Sequence, residues 1–172
     1  MALAGDPAAR HDLGMDIRDV DAILDGTWFT ADLSSEARGR LAAFGRLAVI
    51  PEGTAVVREG EPCTALGVVV TGRISLRLRP PGGRDRTILT VESGDVFGWS
   101  ALLPPSIATS TGIAALPTTA VMFDGEVLRK ALETDCDLAA AIYRRLLVSV
   151  ARRLVATRTQ LLDLYRAGDE PW

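Results

Sequence analysis

The residue types that carry out catalysis or bind metals are few and scattered in this 172-residue chain. The two cysteines, Cys63 and Cys136, match no metal-binding or redox spacing, and the single histidine, His11, lies near the N-terminus. Glu59 and Glu61 fall in a predicted turn and have no evident partner for acid–base work. The sequence has no Cys/His pair, Ser/His/Asp set or phosphate-binding P-loop. We therefore expect a protein that is not an enzyme and holds no metal.

Residues 96 to 123 form an uncharged segment that is long enough to span a bilayer. Pro104, Pro105 and Pro117 interrupt it, and recurrent Ser, Thr and Gly are more typical of strands and turns. The N-terminus lacks the apolar stretch of a secretory signal. The formal net charge of −3 provides no general attraction to nucleic acid or to an anionic membrane. These features predict a soluble, cytoplasmic protein without a membrane partner.

The middle of the chain, from residue 46 to about 123, consists of short β-branched runs bounded by Gly, Pro or Asp. That texture predicts an all-β sandwich or barrel. Two short helices are predicted before it, over DIRDVDAIL and over DLSSEARGRLAAF, after a loose tail of about 15 residues. Within the β region, ISLRLRPPGGRDRTIL predicts a hairpin with one solvent-facing side. Its four arginines are expected to face the solvent without forming a binding patch: Arg77, Arg79, Arg84 and Arg86.

The last third of the chain predicts a short helix over GEVLRKALE and a long helix over residues 135 to about 166. At 1.5 Å per residue the long helix measures roughly 45–50 Å, more than the width of a β-domain of this size. Part of its apolar seam therefore lacks a partner within the chain, and a homodimer is favoured over a helix lying wholly on its own barrel. The seam follows a 4-3 heptad spacing through Cys136, Ala140, Tyr143, Leu147, Val150, Leu154, Thr157, Leu161 and Leu164, of which Tyr143 to Leu164 are the predicted dimer interface.

Three segments in this order resemble the cyclic nucleotide-binding domain, above all that of bacterial catabolite-activator-type regulators. REGEP at residues 58–62, followed by LGVVVTGRISL, resembles the family's Glu-Gly-Glu turn and the hairpin after it. GDVFGWSALL resembles the phosphate-binding cassette, and ARRLVAT at residues 151–157 resembles part of the dimer helix. The resemblance implies a mainly β fold with α, namely a β-roll (jelly roll) flanked by N-terminal helices and a long C-terminal dimerisation helix. The predicted division is an N-terminal tail and short helix (1–27), β-roll (28–133), long helix (134–166) and tail (167–172).

The cassette lacks the two charged residues that the family uses to bind its ligand. The family's Glu after Phe-Gly accepts a hydrogen bond from the ribose, and an Arg nine or ten residues later pairs with the cyclic phosphate. Here Trp99 replaces the Glu, and Ile107, Ala108 or Thr109 replaces the Arg. A charge-assisted hydrogen bond contributes about 1.5–3 kcal/mol, so losing both should weaken binding at least about a hundredfold. Cyclic AMP and cyclic GMP are therefore disfavoured ligands.

Some capacity for a ligand remains, because backbone N–H groups at the start of the short helix after FGW, together with nearby hydroxyls, still favour an anion. Trp99 either plugs the vacated pocket, the favoured interpretation, or forms the wall of a pocket for a less polar ligand. Thr157 matches a position from which some activators contact adenine, although a threonine tolerated on the seam is favoured. The ligand-binding residues implied by the resemblance are Phe97, Gly98, Trp99, Ser100, Ala101, Leu102, Ala108, Thr109, Ser110 and Thr157.

Two functions remain open. The favoured one is a dimeric interaction or regulatory module that docks a protein partner or senses another ligand. The alternative is a genuine cyclic nucleotide receptor with a non-standard cassette that signals through the long helix. The chain ends at Trp172, soon after that helix, so we expect no nucleic-acid binding by the family's helix-turn-helix route. The expected switching element is the short helix after FGW, coupled to a hinge near residues 133–135.

Overall fold

The computed structural model describes residues 11–12, 16–80, 82–83 and 85–168, without the side chains of residues 11, 12 and 161–168. Helices α1 (Ile17–Asp25) and α2 (Ser35–Ala42) precede the β region, as the sequence predicted. Each begins where a side-chain oxygen accepts a backbone N–H: Asp16 from Arg18 and Ser34 from Ala37. These caps satisfy donors that the first helical turn leaves free, which is why the local sequence sufficed to locate both helices.

Nine strands among the described residues form two antiparallel sheets. Their antiparallel pairing over the middle of the chain confirms the predicted all-β region. The first sheet consists, in spatial order, of β1 (His11–Asp12), β2 (Gly45–Ile50), β9 (Thr118–Asp124), β4 (Ala65–Thr71) and β7 (Val96–Phe97). The second consists of β3 (Ala55–Val57), β8 (Thr111–Ala114), β5 (Ile74–Leu78) and β6 (Arg86–Val91).

The first sheet is buried on both faces, because the second sheet covers one and the helices cover the other. Along β9, Ala120 and Met122 join the core between the sheets, whereas Val121 and Phe123 join the core beneath the helices. Successive side chains of a strand point to opposite faces, so a strand covered on both sides is apolar throughout. This arrangement explains the near-continuous apolar run at the end of the uncharged segment.

Two details of the β region differ from the sequence predictions. His11 and Asp12 pair with Val49 and Ala48 of β2, where a loose tail was predicted. In the β5–β6 hairpin Arg79 and Arg86 are exposed as expected, but Arg77 is half-buried. The register of the hairpin shifts between Leu76 and Arg77, and such a bulge redirects the side chain that follows it. Arg84 lies outside the described residues.

The chain finishes with α3 (Gly125–Thr134) and the long helix α4 (Cys136–Gly168), which has 33 residues and so measures about 50 Å. Leu138, Ile142 and Leu146 bury one face of α4 in the helical core. On the seam, Leu147 and Leu154 are 69% and 51% exposed. The predicted seam therefore does face away from its own domain. None of the described helices is long and apolar enough to cross a membrane.

Candidate functional site

The cassette-like segment folds as a tight turn, the short strand β7 and a 3-10 turn at Trp99–Leu102. Gly98 begins the 3-10 turn with φ of 70°, and a Cβ atom there would lie 2.3 Å from the carbonyl oxygen of Ala65. Phe97 packs across Gly67, where a Cβ atom would lie 2.2 Å from the aromatic ring. Only glycine fits either position, because the first needs a left-handed backbone and the second the absence of a side chain.

A narrow pocket lies between the β-roll and this 3-10 turn. It contains about 280 Å³ of space between atoms, including its open mouth, but the centre of a water molecule can reach only about 20 Å³ of it. That is room for about one water, so a larger ligand requires side chains to move. The lining residues are Val57, Cys63, Leu76, Phe97, Gly98, Trp99, Ser100, Ala108, Thr109, Ser110 and Arg153.

Most of the residues predicted from the resemblance come together around this pocket, and three do not. Ala101 and Leu102 do not line it: Ala101 packs against Cys63 and Ala108, which do, and Leu102 lies in the helical core. Thr157 is exposed on α4, and its Oγ1 donates to the carbonyl oxygen of Arg153 at 2.9 Å. The seven that line the pocket are Phe97, Gly98, Trp99, Ser100, Ala108, Thr109 and Ser110.

Trp99, which replaces the family's glutamate, is half-buried on the wall of the pocket. It also packs against the helical core. Trp99 therefore forms part of the pocket wall and keeps partial solvent access.

Sequence reasoning missed four of the lining residues, namely Val57, Cys63, Leu76 and Arg153, and of these only Arg153 is charged. It reaches the pocket from α4, its side chain is 12% exposed, and it donates to the carbonyl oxygen of Val96. Burial lowers the pKa of the guanidinium, an effect that nearby Asp95 opposes. Its Nε is buried without a hydrogen-bond partner among the described residues. One signal in the sequence was usable: Arg153 follows Ser149 by four residues, so the two lie on the same face of a helix. Polar residues that recur on the buried face of a helix have hydrogen-bond partners elsewhere in the fold.

Asp95, the residue immediately before β7, connects the pocket to α4. Its carboxylate accepts hydrogen bonds from Val96 N at 2.8 Å and from the Ser149 hydroxyl at 2.9 Å, and lies 3.4 Å from Arg153 Nη2. We call these contacts of Asp95 with Ser149 and Arg153 the α4 clasp. It holds the middle of α4 against the turn that forms the pocket.

Two further arginines tie the pocket and the predicted hinge to the surrounding helices. Arg129 of α3 donates to the Ser106 hydroxyl at 2.6 Å and so contacts the loop that follows the 3-10 turn. Asp135, between α3 and α4, lies 2.8 Å from Arg40 of α2 and caps α4 by accepting from Leu138 N at 3.0 Å. These contacts of Asp135 hold the start of α4 against α2.

The two cysteines should differ sharply in reactivity. Cys63 is 4% exposed in the pocket wall, and burial raises the pKa of its thiol, whereas Cys136 is exposed at the start of α4. Since the thiolate is the reactive form, we expect Cys63 to react with Ellman's reagent at pH 8 at least about tenfold more slowly. The fast phase should disappear in Cys136→Ser and persist in Cys63→Ser. Equal rates for both thiols would contradict the burial of Cys63 in the pocket wall.

The described part of the chain contains no group of three His, Cys, Asp or Glu side chains that could hold a metal ion.

Comparison with known proteins points to one family, the one that the cassette-like segment resembles. The family model for the cyclic nucleotide-binding domain matches residues 47–135. The chain is 30% identical over 114 residues to a CRP-like cAMP-activated global transcriptional regulator of Mycobacterium tuberculosis, covering 66% of this chain and 49% of that protein. It is 26% identical over 135 residues to a Pycsar effector protein of Xanthomonas perforans, covering 76% of this chain and 40% of that protein. The chain thus spans half or less of the length of these curated relatives.

A solved structure of a cyclic nucleotide-binding domain from Methylobacillus flagellatus has the same fold, with a TM-score of 0.77 at 20% identity. The alignment covers 91% of this chain and 89% of that one. The fold similarity therefore extends beyond the β-roll to most of the helices.

Proposed function

The chain belongs to the cyclic nucleotide-binding domain family, and from that premise we propose that it is a non-enzymatic regulatory or interaction module with weak or no affinity for cyclic AMP and cyclic GMP. The observation that carries the proposal is the replacement of both family anchors around an intact cassette turn. Trp99 takes the place of the ribose-binding carboxylate, and no basic residue occurs from Trp99 to Thr111. A nucleotide phosphate would leave water without its usual partner, at a cost of several kcal/mol.

Isothermal titration of cyclic AMP and cyclic GMP into the full chain tests the proposal. We expect no saturable binding in the low micromolar range, because the loss of two charge-assisted contacts weakens binding at least about a hundredfold. Saturation at low micromolar ligand would overturn the proposal.

A gain-of-function variant provides the matched control for this titration. Trp99→Glu combined with Thr109→Arg restores the two missing charges on residues that line the pocket. The double variant should bind cyclic AMP at least about tenfold more tightly than the natural chain, since each restored contact contributes about 1.5–3 kcal/mol. No gain in a folded double variant would mean that the missing charges are not what limits binding.

The second candidate function is a cyclic nucleotide receptor with a non-standard cassette. Arg153 specifically favours it, because its guanidinium lines the pocket and could replace the phosphate-binding arginine of the cassette. A receptor of this kind would signal through α4, which the clasp on Asp95 connects to the pocket. The titration above distinguishes the two functions.

We further propose that the module is a homodimer joined along the seam of α4. The exposure of Tyr143, Leu147 and Leu154 supports this, because a row of large apolar side chains in water favours burial against a second helix. Val150 and Thr157 continue the seam among the described side chains, and Leu161 and Leu164 lie outside them. The division of the chain into β-roll, long helix and tails, a cytoplasmic location and a protein partner remain part of the proposal.

A further inference from the structure

Arg153 is the one charged side chain among the residues that line the pocket in the described part of the chain. Besides the small residues Cys63, Gly98 and Ala108, the remaining lining is of two kinds. Hydroxyls come from Ser100, Thr109 and Ser110. Apolar walls come from Val57, Leu76, Phe97 and Trp99. A single cation among apolar walls and hydroxyls matches a ligand that carries a single negative charge on an apolar body.

The present partners of Arg153 leave much of its binding capacity unused. Its described contacts involve only Nη2, which donates to Val96 O and lies 3.4 Å from the Asp95 carboxylate. A guanidinium carries five N–H donors in a planar fork, and Nε has no partner among the described residues. Arg153 is therefore placed to pair with a second carboxylate.

Asp95 does not depend on Arg153. Its carboxylate is 25% exposed and keeps hydrogen bonds from Val96 N and the Ser149 hydroxyl. If a competing anion paired with Arg153, Asp95 would still have hydrogen-bond partners and contact with water. The large cost of a buried, unpaired carboxylate would therefore not arise. Ser149 would then hold α4 to Asp95 alone.

We propose that this pocket binds a small organic carboxylate, with its charge paired to Arg153 in competition with Asp95 and its apolar body against Trp99 and Phe97. The inference rests on the proposed function, in which the pocket no longer takes a cyclic nucleotide. The planar fork of arginine matches a carboxylate in two parallel hydrogen bonds. The narrow pocket favours a ligand smaller than a nucleotide, because less side-chain movement is needed to admit it.

The test uses benzoate as the probe and benzamide as its uncharged analogue, titrated into the full chain and followed by NMR of the tryptophan indole N–H groups. We expect saturable binding of benzoate at millimolar or lower concentration, and binding of benzamide at least about tenfold weaker. Arg153→Gln should weaken benzoate at least about tenfold, whereas Arg158→Gln, which removes the same charge from an exposed position of α4, should not.

Asp95→Asn separates a ligand-binding role of Arg153 from a structural one. Asparagine keeps the acceptor for Val96 N and Ser149 but removes the charge that competes for Arg153. Benzoate should then bind several-fold more tightly, the opposite direction to Arg153→Gln. A variant that simply loosens the fold would weaken binding in both cases.

The outcomes are distinct from those that test the proposed function. Equal binding of benzoate and benzamide, or unchanged affinity in folded Arg153→Gln, would overturn the carboxylate site while leaving the proposed function intact. Saturation by inorganic phosphate in preference to benzoate would also overturn it. Low-micromolar binding of cyclic AMP would overturn the proposed function itself.

Discussion

Replacing Arg145 with methionine is expected to lower the free energy of unfolding by about 3 kcal/mol. Arg145 lies on the buried face of α4, and its side chain is 7% exposed. Nε donates to Phe29 O at 2.9 Å, and the two terminal nitrogens donate to Asp32 and to Trp28 O. These contacts join the long helix to the segment between α1 and α2.

The size of the effect follows from what methionine would leave behind. Methionine fills much of the same space but cannot donate, so the buried carbonyl oxygen of Phe29 loses its partner, while Trp28 O keeps only the hydrogen bond from Ala31 N at 3.3 Å. Each such loss costs about 1–3 kcal/mol, and breaking a buried ion pair costs about 3–5 kcal/mol. Because Asp32 is 55% exposed, water can solvate its carboxylate in the variant. The expected loss of unfolding free energy therefore lies at the lower end of this range.

Arg152→Met is the matched control for this prediction. Both guanidiniums stack on the Trp28 ring, at 4.3 Å for Arg145 and 4.4 Å for Arg152, but Arg152 is exposed. An exposed cation–π contact contributes about 0.5–1 kcal/mol, so the control should lose no more than that. Urea unfolding followed by circular dichroism at one fixed protein concentration measures both variants. Equal losses would mean that the hydrogen bonds of Arg145 contribute little.

Replacing Leu154 with glutamate is expected to weaken dimerisation at least about a hundredfold. Leu154 is 51% exposed in the single chain and lies at the middle of the heptad seam. In a dimer joined along this seam, two carboxylates would be buried against apolar neighbours, with a cost of several kcal/mol for each uncompensated charge. About 2.7 kcal/mol already corresponds to a hundredfold change in dissociation constant.

Sedimentation equilibrium of the full chain measures this change. Thr159→Glu adds the same charge to an exposed position of α4 outside the seam and should leave the dissociation constant within about threefold. A natural chain that is monomeric, or a Leu154→Glu variant that dimerises normally, would show that the seam is not an interface between copies.

Several features of this protein could be predicted from local sequence because their causes are local. The caps at Asp16 and Ser34 act on N–H groups two or three residues away. The turn at Gly98 needs a left-handed backbone that glycine adopts most easily. The heptad spacing identifies which side of α4 is apolar. The strand at residues 111–114 is predicted only as part of the β region, since a four-residue segment containing Gly112 offers little alternation.

What tertiary structure alone decided is the role of the arginines on α4. From the heptad spacing, Arg145 and Arg153 could only be placed off the seam. In the fold, Arg145 bonds to residues 113 to 117 positions away in sequence, and Arg153 to Val96, 57 positions away. Periodicity tells which side of a helix a residue occupies, but not which element covers that side. Arg153 therefore reaches the pocket from a helix that is distant in sequence from the cassette, and only folding brings the two together.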